Sequence, residues 1–167
     1  PAVGIRMDDR TRYHLVEDSA AGWANALRNG LTTWWCGADT VFDFSNVRPA
    51  GSRLNTKGGR ASGPEPLIKL ISFAKKIVQG AEGRKLRPIE VHDIMCTIGE
   101  VVMAGGVRRS ALISFSDADD TEMRNAKNWS LGTFPVCRYM ANNSVFWNEK
   151  PDRGTFYAEW KALQDSG

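Results

Sequence analysis

The chain has 167 residues, of which 42% are hydrophobic and 25% charged, and its formal net charge is +3. This composition is typical of a globular domain that is long enough to bury a core. No run in the sequence approaches the roughly 18 consecutive apolar residues that a membrane-spanning helix needs. The net charge is too small to argue for binding of nucleic acid, so we expect neither a membrane nor a nucleic acid as a direct partner.

The first part of the chain alternates strand and helix patterns. Residues 13–16 predict a short strand, and Asp18 or Ser19 can cap a following helix. Four apolar residues at intervals of four predict one face of that helix, which should end near Gly37: Trp23, Leu27, Leu31 and Trp35. Residues 41–47 alternate apolar and polar and predict a second strand.

The remaining elements follow the same alternation. The run 62–65 has the spacing of a capping box, so we expect Ser62 to begin a helix that closes at Gly80. A further helix should run from Pro88 to the glycines at 105–106. We then expect a strand at 110–115, a short charged helix at 117–127, a strand at 140–147 and a last helix at 155–163 with an apolar face.

Alternating strands and helices indicate an α/β fold with parallel strands. We see no linker between domains and expect one partial domain over residues 1–167. The chain begins at Pro1 rather than methionine and stops at Gly167 just after a predicted helix. We therefore expect an internal fragment of a longer protein.

A first glycine-rich loop precedes the helix that closes at Gly80. Its candidate ligand-binding residues are Lys57, Gly58, Gly59, Arg60 and Ser62. Backbone amides and basic side chains before a helix can bind a phosphate at the positive end of the helix dipole. The alternative is a tight turn whose glycines serve geometry alone, because the spacing fits neither a Walker loop nor a dinucleotide fingerprint.

A second loop joins the helix that begins at Pro88 to the strand at 110–115. The candidate residues in it are Gly105, Gly106, Val107, Arg108, Arg109 and Ser110. Adjacent arginines at the start of a strand point to opposite sides, so the loop can contact one ligand on each side and relay between two nucleotide sites. The alternative is a helix C-cap followed by surface charges.

Asn142, Asn143 and Ser144 interrupt an apolar strand, which costs free energy unless their polar groups find partners. Either these side chains bond to neighbouring backbone or they face a polar ligand at the end of the strand. Both alternatives stay open from the sequence.

The cysteines do not indicate a catalytic or metal site. Cys36, Cys96 and Cys137 are widely spaced and odd in number, which favours a reducing cytoplasm over a disulfide framework or a zinc site. His92 and Cys96 share a helix face, but no third ligand is near, so we expect packing. Cys36 and Cys137 should also be packing residues, although Arg138 could lower the pKa of Cys137.

Three motifs together resemble the ribonucleotide reductases: residues 58–67 (GGRASGPEPL), 104–111 (AGGVRRSA) and 142–145 (NNSV). Their order and spacing are most similar to the adenosylcobalamin-dependent (class II) enzymes, particularly the monomeric ribonucleoside-triphosphate reductases of bacteria and phages. The resemblance covers nearly the whole chain.

The resemblance implies part of a ten-stranded α/β barrel that replaces the ribose 2′-hydroxyl with hydrogen by radical chemistry. It implies that residues 58–62 contact a deoxynucleoside triphosphate effector and that residues 105–110 report the effector to the substrate base. It further implies adenosylcobalamin as the cofactor, a ribonucleotide as the substrate and the remaining segments of the reductase as partners.

The chain departs from the family in its cysteines, since neither a redox dithiol pair nor a C-terminal cysteine pair is recognisable. The Asn-Pro-Cys-Gly-Glu type of finger loop that carries the radical-forming cysteine is missing from the sequence. We therefore assign no catalytic residue and expect the isolated chain to be inactive. A stand-alone nucleotide-binding module without catalysis is the alternative function.

Overall fold

The computed structural model describes residues 2–4, 11–54, 58–104, 109–128, 131–132 and 134–166. Within these ranges the chain is α/β, with two separate two-stranded parallel sheets. None of the described helices combines the length and the apolar character that crossing a bilayer requires.

The first half of the chain is a strand–helix–strand unit. Strand β1 (Thr11–Leu15) pairs in parallel with β2 (Asp39–Asp43), and helix α1 (Ala20–Trp35) crosses between them. A parallel pair needs a crossover of this kind, because a short turn can only reverse the chain. As expected, Ser19 caps α1, its hydroxyl accepting the Gly22 amide hydrogen at 2.9 Å.

Helix α2 (Glu65–Gly80) packs on α1, and helix α3 (Pro88–Met103) packs on α2. Asp39 connects three of these elements through its side chain. It accepts hydrogen bonds from the Trp34 indole at 3.1 Å and from the Lys75 amine at 2.7 Å. Because Trp34 is fully buried, this carboxylate fixes the end of α1 and the middle of α2 against β2.

The second half contains strands β3 (Leu112–Asp117) and β4 (Ala141–Phe146), which are again parallel. Helix α4 (Thr121–Arg124) and a 3₁₀ turn (Val136–Met140) lie between them, and helix α5 (Arg153–Ser166) follows β4. The face of the sheet that carries Ser114 and Asn143 lies toward α3, since Asn143 contacts His92 of that helix at 3.3 Å.

A buried ion pair joins α3 to the 3₁₀ turn. Arg138 donates from Nε and Nη2 to the two carboxylate oxygens of Asp93, at 2.6 and 2.8 Å, and from Nη1 to the Ala126 carbonyl at 2.9 Å. Burial raises the pKa of Asp93, but hydrogen bonds from Arg138 and His92 outweigh it, so this pKa lies below its usual range. The carboxylate is therefore ionised and paired at neutral pH.

Several predicted boundaries are wrong because local contacts end or begin the elements elsewhere. Strand β2 stops at Asp43 rather than 47, since the Asp43 carboxylate accepts the Ser45 amide hydrogen at 2.9 Å and starts a turn. Strand β3 spans 112–117 rather than 110–115, in register with β4. The charged helix has only four residues. It begins after Asp120, whose carboxylate accepts the Met123 amide hydrogen, and ends at Arg124.

The predicted capping box at Ser62 is also wrong. Helix α2 begins after Pro64, and the Ser62 hydroxyl donates to the Gly63 carbonyl at 3.2 Å instead of capping the helix. Gly63 has φ of +73°, and a Cβ there would lie 2.9 Å from the Ala50 nitrogen. The chain therefore turns sharply before the helix, which takes Ser62 out of the capping position.

The predicted apolar stripe of α1 is not its most buried face. That face carries Gly22, Ala26, Gly30, Thr33 and Trp34, whereas the stripe packs against the core only partly buried. The apolar face predicted for the last helix is exposed: Phe156, Trp160 and Leu163 are all at least half exposed.

We predict that Arg138→Met lowers the free energy of unfolding by about 3–5 kcal/mol, because it leaves the Asp93 charge buried without a partner. Urea unfolding at pH 7 measures this. The double variant Arg138→Met/Asp93→Leu should recover most of the loss, since an apolar pair can replace a buried ion pair. A single variant as stable as the parent would contradict the assignment.

Glu90 should stabilise the fold at neutral pH and lose this effect at low pH. Hydrogen bonds from Arg84 lower the pKa of Glu90 from 4.5 to about 2. Partial burial opposes this shift, and a hydrogen bond from the Arg87 amide adds to it. A lowered carboxyl pKa stabilises the fold above pH 4.5, and this stabilisation disappears as the pH falls toward 2. Glu90→Gln should thus unfold at lower urea than the parent at pH 7 and at nearly the same urea at pH 2.

The matched control is Glu65→Gln, since Glu65 is exposed and its Lys69 partner lies 4.0 Å away. Exposed pairs of this kind contribute little to stability. An equal effect of the two substitutions at pH 7 would count against a special role of Glu90.

Candidate functional site

The first glycine-rich loop forms a small hairpin before α2. The Ala61 amide donates to the Ser52 carbonyl at 2.8 Å, and the Leu54 amide donates to the Gly59 carbonyl at 3.1 Å. Between these bonds, Arg53 and Arg60 face each other as an isolated antiparallel bridge. We call residues 51–54 and 58–61 the arginine hairpin.

The glycines of the arginine hairpin adopt left-handed backbone conformations. Gly58 and Gly59 have φ of +65° and +89°, and Gly51 has φ of +85°. Left-handed backbone of this kind is costly for residues with a Cβ. A Cβ at Gly58 would meet nothing within 4 Å, so the bend rather than crowding requires glycine at this position.

Two arginines directly opposite each other are electrostatically unfavourable. They form a pair without hydrogen bonds between their backbones, in which the Cα atoms approach to about 4.5 Å, and like charges at such positions destabilise a strand pair. Arg60 donates to the Gly51 carbonyl at 3.0 Å, and both side chains are exposed. The pair therefore concentrates positive charge, and a bound anion would relieve the repulsion between the two arginines.

The arginine hairpin partly matches the predicted phosphate loop. Gly58, Gly59 and Arg60 lie in it, Ser62 follows it, and Lys57 lies outside the described residues. Sequence reasoning missed Arg53, which becomes a neighbour of Arg60 only through the hairpin register. The glycine pair between two short segments was the available signal, because such pairs are typical of hairpin turns.

Only the end of the second loop is described. Residues 105–108, with Gly105, Gly106, Val107 and Arg108, lie outside the described ranges. Arg109 is exposed, and Ser110 lies beside α3, with its hydroxyl oxygen 3.6 Å from where a Gly99 Cβ would be. No hydrogen bond or ion pair between described residues joins the arginine hairpin to β3 or β4.

The polar residues of β4 divide between the two faces of the sheet. Asn142 and Ser144 stand beside Ile113 and Phe115, on the exposed face, because parallel partners in register share a face. Asn143 points the other way, and its amide nitrogen lies 3.3 Å from His92 Nε2. Asn143 thus bonds to a side chain of α3, which neither alternative from the sequence included.

The cysteines are mostly packing residues. Burial raises the pKa of the Cys96 thiol from 9.0 to about 12, and its sulfur lies 3.7 Å from the His92 ring nitrogens. Cys137 is also buried, and burial raises its pKa, so the lowered pKa considered next to Arg138 is wrong. Cys36 is exposed, contrary to the prediction that it packs inside.

Comparison with known proteins identifies relatives of one kind, although no family model matches the chain. A Euglena gracilis protein is 37% identical over 138 residues, which cover 81% of this chain and 19% of the relative. A Lacticaseibacillus paracasei protein is 38% identical over 112 residues, or 67% of this chain and 15% of the relative. Both are named adenosylcobalamin-dependent ribonucleoside-triphosphate reductase.

Comparison of the fold with solved structures points to the same enzymes. A crystal structure of a B-12 dependent (class II) ribonucleotide reductase matches with a TM-score of 0.65 and 28% identity, over 81% of this chain and 19% of that one. The chain spans about a fifth of the length of relatives such as these. Over the segment that it covers, this chain belongs to the adenosylcobalamin-dependent (class II) ribonucleotide reductase family.

Proposed function

We propose that this chain is part of an enzyme that reduces ribonucleoside triphosphates to deoxyribonucleotides by radical chemistry, for DNA synthesis in the cytoplasm. The relatives are named as reductases of this class. Because the chain spans about a fifth of their length, the remaining segments of the reductase are its partners. Residues 1–167 are then a single partial domain.

Exposed sheet faces support the assignment to a larger α/β barrel. Tyr13 on β1 is 83% exposed and Phe115 on β3 is 69% exposed. Parallel sheets are normally covered on both faces, yet helices cover one face of each pair here. Further strands and loops of a ten-stranded barrel would cover the other face, whereas a stand-alone binding module would leave these faces in water.

The arginine hairpin carries the proposal of an effector site. Its two opposed arginines are permanently charged, and each planar guanidinium suits the phosphates of a deoxynucleoside triphosphate. The glycines of the bend add backbone amides that can approach a phosphate closely. Lys57, which precedes Gly58 in the sequence, is proposed as a third cation. Ser62 then leads into the N-terminus of α2, whose dipole also favours an anion.

The second loop is proposed as the relay to the substrate. Residues 105–110 connect α3 to β3, and Asn142 and Ser144 lie on the exposed face of the strand that pairs with β3. A ribonucleotide bound against that face would contact Arg109 and these polar side chains. Effector and substrate then influence each other through a loop whose arrangement both ligands bias.

Among the described residues, no site is identified for the adenosylcobalamin cofactor or for the catalytic thiols. Two clefts flank the β3–β4 sheet, of about 630 and 390 Å³, and the larger has mostly apolar walls between α3 and β3. Cys96 and Cys137 are buried, with raised pKa values that keep the thiols protonated. We therefore place the radical chemistry on other segments and derive no step of it here.

We predict that Arg60→Ala weakens binding of deoxynucleoside triphosphates to the intact reductase by about 10- to 100-fold, since a hydrogen bond to a charged group contributes about 1.5–3 kcal/mol. Arg53→Ala should have a similar effect. Equilibrium dialysis with labelled nucleotide measures it. Lys76→Ala is the control, because it removes an equal charge from the exposed side of α2. An equally large loss of nucleotide affinity in that variant would mean that the effect comes from net charge alone.

The isolated chain should form no deoxynucleotide when it is supplied with ribonucleoside triphosphate, adenosylcobalamin and a dithiol reductant. The reason is that its described cysteines offer no ionised or exposed pair for the chemistry. Chromatographic separation of the products measures this. Turnover by the isolated chain would contradict its assignment as one part of the enzyme.

A further inference from the structure

Helix α5 is attached to the rest of the described chain through a charged residue rather than an apolar one. Among the side chains that the structure describes on this helix, only Glu159 is buried. Its carboxylate lies 2.7 Å from Nη2 of Arg124, the last residue of α4. None of the other described helices and strands packs extensively against α5. The apolar residues of the helix are therefore left uncovered.

Three aromatic side chains form an exposed patch on α5. Phe156, Tyr157 and Trp160 are 57%, 62% and 50% exposed. Helix residues three and four apart are surface neighbours, and the ring centroids of Tyr157 and Trp160 lie 5.8 Å apart. We call these three residues the aromatic patch. Contiguous apolar surface of this kind marks interaction sites in folded proteins.

A hollow beside the aromatic patch is bordered by positive charge. It has a volume of about 750 Å³ and mostly apolar walls, which include the Phe156 and Tyr157 rings. Its charged lining residues are Lys150 and Arg153, both cations. Lys161, four residues after Tyr157, extends the positive charge along the same face of the helix. None of these three cations forms an ion pair with another described residue.

We infer that the aromatic patch and its hollow are the docking surface for another segment of the same reductase polypeptide, one that presents apolar side chains beside carboxylates. This inference rests on the proposed function, in which most of the enzyme lies outside this chain. Apolar side chains of the segment cover the exposed rings. Its carboxylates face the three cations, which gives the surface its preference for an acidic partner.

A second copy of this chain fits the surface less well than an acidic segment does. A symmetric dimer brings the same patch of the two copies together. Lys150 and Arg153 of one copy would then face the same cations of the other. Like charges placed opposite each other across an interface cost free energy, whereas an acidic segment removes this repulsion.

The test uses the full-length reductase that contains this segment, with a photoreactive benzophenone amino acid in place of Phe156 or Trp160. We expect irradiation to join α5 to a segment outside residues 1–167. Mass spectrometry of the digest should find Asp or Glu in the captured peptide. The control carries the same amino acid in place of Ala158, which is exposed but two residues from both targets and so on a different face. That control should lose the product.

A reversal of charge tests the acidic character of the segment. Arg153→Glu should lower the thermal midpoint of the full-length enzyme by roughly 2–4 °C, because a carboxylate of the docked segment then faces a like charge. Lys161→Glu should act in the same direction and carries the test if the first variant does not fold. Lys76→Glu makes an equal change of charge on the exposed side of α2 and should leave the midpoint unchanged.

The outcomes separate the inference from the function on which it rests. Capture of a second copy, visible as a covalent dimer, would overturn the inference, as would products confined to residues 1–167. An equal fall of the midpoint in Arg153→Glu and Lys76→Glu would also overturn it. A full-length protein that reduces no ribonucleoside triphosphate would contradict the proposed function. An active enzyme that gives no cross-link to an acidic segment would overturn the inference alone.

Discussion

The bidentate pair between Arg138 and Asp93 is the interaction on which the second half of the chain depends. Neither α4 nor the 3₁₀ turn is long enough to be stable by its own hydrogen bonds. Arg138 binds α3 through Asp93 and binds the segment after α4 through the Ala126 carbonyl. One guanidinium thus holds three pieces of backbone in the arrangement that places β4 beside β3.

Apolar periodicity predicts the long helices because their burial follows from sequence spacing. Helices α2 and α3 end close to the glycines that mark them, and the Ser19 cap is a local interaction that neighbouring residues fix. Strand limits depend on partners distant in sequence. Strand β2 therefore begins two residues and ends four residues before its predicted limits, and β3 lies two residues after its predicted position. The Ser62 capping box failed for a tertiary reason, the contact between Gly63 and Ala50.

The candidate site, too, was predicted from the sequence only where local features determine it. The glycine pair at 58–59 predicts a bend at which backbone and cations come together, and the hairpin has that bend. Arg53 could not be found from spacing, because it becomes the neighbour of Arg60 only through hairpin register. The sequence also could not show that Asn142 and Asn143 serve different faces, nor that burial, rather than the adjacent arginine, controls the pKa of Cys137.

The arrangement of the two parallel strand pairs has a consequence for how the protein folds. Each pair joins strands roughly thirty residues apart, and the described strands form no ladder between the two pairs. The free-energy cost of closing each loop is therefore offset by strand pairing within the same half of the chain. Each half can therefore acquire its sheet from its own strands, before the other half is complete.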